Sequence, residues 1–182
     1  MIEVRFHGRG GQGAVTSAEL VALAAISEGK YAQSFPSFGP ERRGAPVQSF
    51  TRVSDQPIRL RTAIREPDFS VVLDPGLILV GGALSGLKQK GIVVINTRKS
   101  IAEIKKEFSI TIRTAVVDAT RIALDALGLP ITNTTMIGAL VKASGIVDME
   151  SLVEPLRHRF GKIAEKNIKV CRLAYEATVI EE

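Results

Sequence analysis

A chain of 182 residues is long enough to bury one good core and short for two, so one domain spanning 1–182 is expected. Its 24 Lys+Arg against 19 Asp+Glu give a net charge of +5, yet no long basic run appears and aromatics are few. That balance argues against nucleic-acid binding and fits an anionic ligand or an acidic partner.

The single cysteine, Cys171, excludes an intrachain disulfide and an iron-sulfur cluster held by this chain alone. Two distant histidines disfavour structural zinc, so any redox centre must sit on another chain. No apolar run reaches the ~20 residues that span a bilayer, and Met1 leads straight into a strand pattern without a signal peptide. A cytoplasmic location away from any membrane is expected.

Ile2, Val4 and Phe6 alternate with Glu3, Arg5 and His7, which reads as a strand, and Ala14 to Ser27 reads as an apolar helix. Between them stand Gly8, Arg9, Gly10, Gly11, Gln12 and Gly13. Glycines let the backbone take positive φ and approach a ligand closely, and the free N–H groups of a helix start suit phosphate. The turn therefore reads as a phosphate or diphosphate contact, or else as no more than a tight strand-to-helix connection. Gly8, Gly10 and Gly13 also satisfy GxGxxG, but the second strand, Tyr31 to Phe35, has no carboxylate to bind a ribose.

Residues 35 to 46 carry three prolines, two aromatics and the Arg42–Arg43 pair, a long irregular loop of the kind that is commonly functional or faces a partner. Val47 to Val53 alternates as a strand, and Ile58-Arg59-Leu60 reads as a return strand whose hairpin would make the sheet mixed. Phe69 to Leu73 and Ile92 to Ile95 are continuous apolar runs, expected in strands covered on both faces. Asp74-Pro75 starts a turn or helix through Leu79, and Ala83 to Gln89 is expected to form a short helix. Ser100 to Phe108 reads as an amphipathic helix and Ile110 to Val117 alternates as a strand. Asp118 then caps a helix that stops at Gly128-Leu129-Pro130.

The last third is expected to be helical. Thr132 or Asn133 caps a segment through Ala143, Asp148 opens one through Arg159, and Lys162 begins a final helix with Ile163, Val170, Leu173, Ala174 and Ala177 facing inward. Strands alternating with helices predict an α/β fold, a three-layer α/β/α sandwich with a mostly parallel, mixed sheet.

Two unusual segments, Phe6-His7-Gly8-Arg9-Gly10-Gly11-Gln12-Gly13 and Ser34 to Pro46, stand in the order and separation found in one family. The chain resembles the gamma subunits of 2-oxoacid:ferredoxin oxidoreductases, equivalent to one domain of the fused enzymes. The likeness covers essentially its whole length, including Gly128-Leu129-Pro130, Asn133 and Gly138-Ala139-Leu140, and the Gly39–Pro46 loop is closer to pyruvate or branched-chain members than to 2-oxoglutarate ones.

The resemblance implies a multisubunit enzyme that makes acyl-coenzyme A and carbon dioxide from a 2-oxoacid and coenzyme A and reduces ferredoxin. Thiamine diphosphate, Mg2+ and [4Fe-4S] clusters would be held by the alpha, beta and delta subunits, and none by this chain, which would supply no catalytic residue. Its part would be to shape the active-site entrance and the subunit interface.

For coenzyme A or diphosphate, the candidate contacts are Gly8, Arg9, Gly10, Gly11, Gln12, Gly13, Arg42 and Arg43. For the partner interface they are Phe35, Phe38, Glu41 and Arg42. Arg42 and Arg43 serve equally as phosphate ligands or as interface ion-pair formers. His7 reads as a hydrogen bond closing the turn rather than a ligand, Asp74 as a turn cap, His158 as solvated and Cys171 as a small core residue. An independent NAD(P)-binding oxidoreductase is the alternative, with Arg42 or Arg43 reading a 2′-phosphate. A nucleotide-sensing module is disfavoured by the absence of a linker.

Overall fold

The computed structural model describes residues 1–37 and 43–182. Seven strands form one sheet in the order β2-β3-β1-β4-β5-β6-β7. They are β1 (Ile2–Arg9), β2 (Tyr31–Pro36), β3 (Pro46–Ser54), β4 (Phe69–Val72), β5 (Ile92–Asn96), β6 (Arg113–Val117) and β7 (Val179–Ile180). The helices are α1 (Ala14–Ser27), α2 (Leu77–Val80), α3 (Ile101–Phe108), α4 (Ala119–Leu127), α5 (Asn133–Ser144), α6 (Val153–Phe160) and α7 (Ala164–Ala177).

β1, β4, β5 and β6 run parallel, with Phe6 beside Val71, Val71 beside Val94 and Val94 beside Ala115. The sheet is mixed, but not through the expected hairpin. β3 lies antiparallel between β1 and β2, pairing Phe6 with Ser49 and Phe35 with Phe50. Ile58-Arg59-Leu60 forms no strand; the Ile58 and Leu60 carbonyls instead accept from Gln33 Nε2 at 3.4 and 3.1 Å. A side chain thereby does what a ladder bond would have done.

Period-two alternation sends neighbouring residues to opposite faces, and the sheet buries both. Val71, Val94 and Ala115 join Phe6, Met136 and Leu140 on the side of α1 and α5. Val72, Val93 and Val116 join Leu77 and Ile104 on the side of α2 and α3.

The first side is two helices deep. Asn133 to Val141 are all buried, because α5 lies between the sheet and α7. A helix covered all round shows no apolar stripe.

Local signals held at several ends. Ser100 forms a capping box with Glu103 at α3, and Asp118 accepts from the Arg121 N–H at the start of α4, which ends on left-handed Gly128. Four expectations are corrected. Ala83 to Gln89 is a run of turns broken by Gly86 at φ 69°, where a Cβ would stand 2.2 Å from the Arg65 carbonyl.

Neither Thr132 nor Asn133 caps α5 from the N-cap position by side chain; Asn133 is its first helical residue, and its Oδ1 accepts from the Thr134 N–H. In α7, Ile163, Leu173 and Ala177 are exposed. The helix begins two residues later than expected, and its buried stripe is Ala164, Asn167, Ile168, Cys171 and Ala174, with Val170 beside it. The short strand β7 closes the far edge against β6 without having announced itself by pattern.

Candidate functional site at the carboxyl edge of the parallel strands

Because α1, α3 and α4 directly follow β1, β5 and β6, their N-termini gather at one edge of the sheet. The start of α5 is drawn there too, since the Asn133 carbonyl accepts from the Ser17 hydroxyl of α1 at 3.2 Å. Several positive helix ends thus face the crevice where open α/β sheets bind ligands.

The glycine turn sits at the β1 corner. Arg9 O accepts from the Gln12 N–H at 2.9 Å, and Gln12 Oε1 accepts from the Arg9 N–H at 2.7 Å, which locks the turn from inside. Gly10 is bound on both sides, donating to the Ala45 carbonyl at 2.9 Å and accepting from Gly44 at 3.2 Å, so it bridges to Arg43. Gly11 and Gly13 hold φ of 93° and 83°, and Gly13 is the N-cap of α1. Among the described residues no acceptor meets the Gly11 or Gly13 N–H, and the first-turn amides of α1 lack partners by helix geometry. A cleft of about 290 Å³ opens over Arg9, Gly11, Gly13, Val15 and Thr16.

Arg9 does not swing free. Its Nε donates to Asp74 Oδ2 at 2.5 Å and its Nη1 to the Gly44 carbonyl at 3.3 Å, while Asp74 Oδ1 accepts from the Gly76 N–H at 2.8 Å. Asp74 caps its turn as expected and in addition orients Arg9. Gly8 is buried within β1, where a Cβ would lie 3.1 Å from that of Ala14; it serves packing. The structure therefore brings Arg9, Gly10, Gly11, Gln12, Gly13 and the backbone of exposed Arg43 together. Phe38, Glu41 and Arg42 lie outside the described residues.

A second cleft of about 740 Å³ lies at the same edge, lined by Asn96, Arg98, Lys99, Asp118, Thr120 and Arg121. Buried Asn96 donates to the Leu73 carbonyl at 3.0 Å and to Thr120 Oγ1 at 2.9 Å, tying β4, β5 and α4 together beneath it. The sequence marked Asp118 only as a helix cap and gave no sign that these residues converge, because they come from two loops far apart in the chain.

His7 closes no part of the glycine turn; it is 1% exposed and accepts from Arg5 Nε at 2.9 Å. Burial, reinforced by the Arg5 charge and opposed by the hydrogen bond to Gly81, pushes its pKa down to about 3. Nε2 accepts, so the neutral ring keeps its proton on Nδ1.

Arg5, 5% exposed, was legible only as the polar side of β1. It donates to the carbonyls of Ser85, Gly82 at 3.4 Å and Ala83 at 3.5 Å, holding that loop over the back of the sheet.

Burial raises the Cys171 thiol to about 12, and no group of three His, Cys, Asp or Glu side chains suited to a metal occurs among the described residues. Nor does the glycine spacing make a dinucleotide site: β3 separates β1 from β2, and the Gly10 amide is already spent on Ala45.

Residues 3–177 match the pyruvate ferredoxin/flavodoxin oxidoreductase family. The chain is 54% identical over 184 residues to the pyruvate/ketoisovalerate oxidoreductases common subunit gamma of Thermococcus litoralis, covering 100% of each. It is 51% identical over 177 residues to pyruvate synthase subunit PorC of Methanothermobacter marburgensis, covering 97% of each.

Among solved structures it is similar to pyruvate oxidoreductase subunit PORC from Thermotoga maritima, with a TM-score of 0.89 and 36% identity over 100% of this chain and 98% of that one. The 2-oxoglutarate:ferredoxin oxidoreductase of Magnetococcus marinus, solved with 2-oxoglutarate, coenzyme A and succinyl-CoA, shares the fold at a TM-score of 0.74 and 19% identity. It covers 96% of this chain and 30% of its own. The independent NAD(P)-binding reading finds no support in these matches. From near-complete family coverage and full-length relatives, the chain belongs to the pyruvate ferredoxin/flavodoxin oxidoreductase family, as a gamma-type subunit.

Proposed function

We propose that this chain serves as one module, 1–182, in a cytoplasmic complex with alpha, beta and delta subunits that oxidises a 2-oxoacid, pyruvate in the first instance, to acyl-coenzyme A and carbon dioxide. Ferredoxin takes the electrons through the complex. The companions hold thiamine diphosphate, Mg2+ and the [4Fe-4S] clusters; thiamine diphosphate supplies the carbon nucleophile that makes decarboxylation possible. This chain binds and orients. Its glycine turn presents the Gly11 and Gly13 amides to the diphosphate of coenzyme A, with Arg9, Arg42 and Arg43 supplying charge. Phe35, Phe38 and Glu41 face the neighbouring subunit.

The observation that carries this is the convergence of helix N-termini and the Arg9–Asp74 pair on one glycine turn. Asp74 holds the Arg9 guanidinium in one orientation, and a preset planar fork serves a phosphate better than a mobile ammonium.

The test is reconstitution. In the assembled complex, Arg9→Lys and Arg43→Lys raise the apparent KM for coenzyme A by about tenfold, the size of one lost charge-assisted bond, and leave the KM for the 2-oxoacid unchanged. An unaltered KM for coenzyme A in both variants, with both incorporated normally, would assign these arginines to the subunit interface alone.

A further inference from the structure

We infer that the outer edge of β2 is a docking edge for an extended segment of a companion subunit, one that alternates apolar and carboxylate side chains. The inference rests on the subunit reading above and deepens it.

β2 ends the sheet. On one side it pairs with β3, and among the described residues nothing pairs with the other. Natural proteins protect edge strands with charges, bulges or very short length. The opposite edge follows that rule, since β7 has two residues. β2 does not: Tyr31-Ala32-Gln33-Ser34-Phe35-Pro36 carries no charge and has proline only at its last position. A six-residue edge of this kind is a template for one more strand.

Beside it lies a cavity of about 480 Å³, lined by Tyr31, Gln33 and Phe35 on the strand and by Ile58 and Arg61 across from it. The far wall is the segment that alternates like a strand yet pairs with none. Gln33 Nε2 donates to its Leu60 carbonyl at 3.1 Å, and Arg61 Nη1 donates back to the same carbonyl at 3.2 Å. The floor is firm. Phe35 packs on Phe50 with ring centroids 5.1 Å apart, and the buried Arg52 guanidinium lies 5.5 Å from the Phe35 centroid. Arg52 Nε pairs with Glu3 Oε1 at 2.8 Å and Nη2 donates to the Thr62 carbonyl at 2.8 Å, while Nη1 meets no acceptor among the described residues.

Charge selects the occupant. Arg59 and Arg61, on the segment bound to Gln33, are exposed, and among the described residues neither forms an ion pair. An incoming segment with carboxylates at alternate positions meets these arginines while its apolar residues enter the cavity. A second copy of this chain fits poorly: pairing two β2 edges about a twofold axis sets the arginine groups of both copies against each other. β2 also runs parallel to β1 and ends at the glycine-turn edge, so the docked segment leads toward the site described above.

The test is amide hydrogen exchange on the lone chain, verified as monomeric by light scattering, and on the complex assembled with its companions. The expected result is free exchange, in the monomer, of the amides of residues 31–35 that point away from β3, and slowing of those amides by at least about tenfold in the complex. Arg59→Glu with Arg61→Glu weakens association about tenfold, wild-type association weakens with added salt, and Arg172→Glu changes nothing. Equal protection in the lone monomer, protection that appears only on self-association, or a complex whose β2 exchanges freely each overturns the proposal. Failure to form any complex would instead overturn the subunit reading, and this inference with it.

Discussion

Gly138 lies against the backbone of Cys171 so closely that a Cβ placed on it would stand 1.9 Å from the Cys171 carbonyl oxygen. The contact joins α5 to α7, and with α5 buried between α7 and the sheet, relief would require lifting α7 and its buried stripe off α5.

Gly138→Ala is therefore expected to destabilise the fold by about 3 kcal/mol, at the upper end of ordinary overpacking. Urea unfolding of the purified chain measures it. A loss below about 0.5 kcal/mol, the range of a neutral surface change, would mean that the helices separate freely.

Gly13 is constrained twice over. Its φ of 83° disfavours any side chain, and a Cβ would meet Asn133 Nδ2 at 2.7 Å and Asn133 Cβ at 3.0 Å. Gly13→Ala should lower stability and raise the apparent KM for coenzyme A in the complex. Adding Asn133→Ala removes the 2.7 Å contact with Nδ2 but leaves the Cβ at 3.0 Å and the left-handed backbone, so at least about 1–2 kcal/mol of the loss persists. Full rescue by the double change would show that sterics alone set the turn.

The pH dependence should carry the imprint of His7. Its folded pKa of about 3 lies below the ordinary 6.5, so the unfolded chain takes up a proton first. The stabilisation is complete above about pH 6.5 and is lost as pH falls toward 3, with a slope of up to about 1.4 kcal/mol per pH unit. His7→Gln should flatten the slope of unfolding free energy between about pH 6 and about pH 4. An unchanged slope would assign the acid sensitivity to carboxylates.

Cys171 is fully buried, and burial holds its thiol at about 12. The thiolate is the reactive form, so a disulfide reagent at neutral pH should label the native chain at least about a hundredfold more slowly than the unfolded one, with a rate that follows opening of the α5–α7 contact. Rapid stoichiometric labelling of native protein would contradict this packing.

Several features could be read from neighbouring residues alone. The alternation of Ile2, Val4 and Phe6, the glycines that follow and the helix from Ala14 to Ser27 stand where expected, since period and cap chemistry act within a few residues. The same holds for Ser100 and Asp118 as caps and Gly128 as a stop. The family likeness rested on such local segments too.

What tertiary structure decided was order and burial. Insertion of β3 between β1 and β2 turns a dinucleotide-like spacing into a different corner, because strand order depends on contacts between residues dozens of positions apart. The same long-range packing buried Arg5 and His7 beneath a loop no pattern marked, and tied Ile58-Arg59-Leu60 to the Gln33 side chain rather than to the β2 backbone. It also set the inward face of α7, whose phase depends on where α5 allows the helix to begin. Periodicity along the chain states which residues prefer an interior; only the assembled sheet and its double helical layer determine which interior exists to receive them.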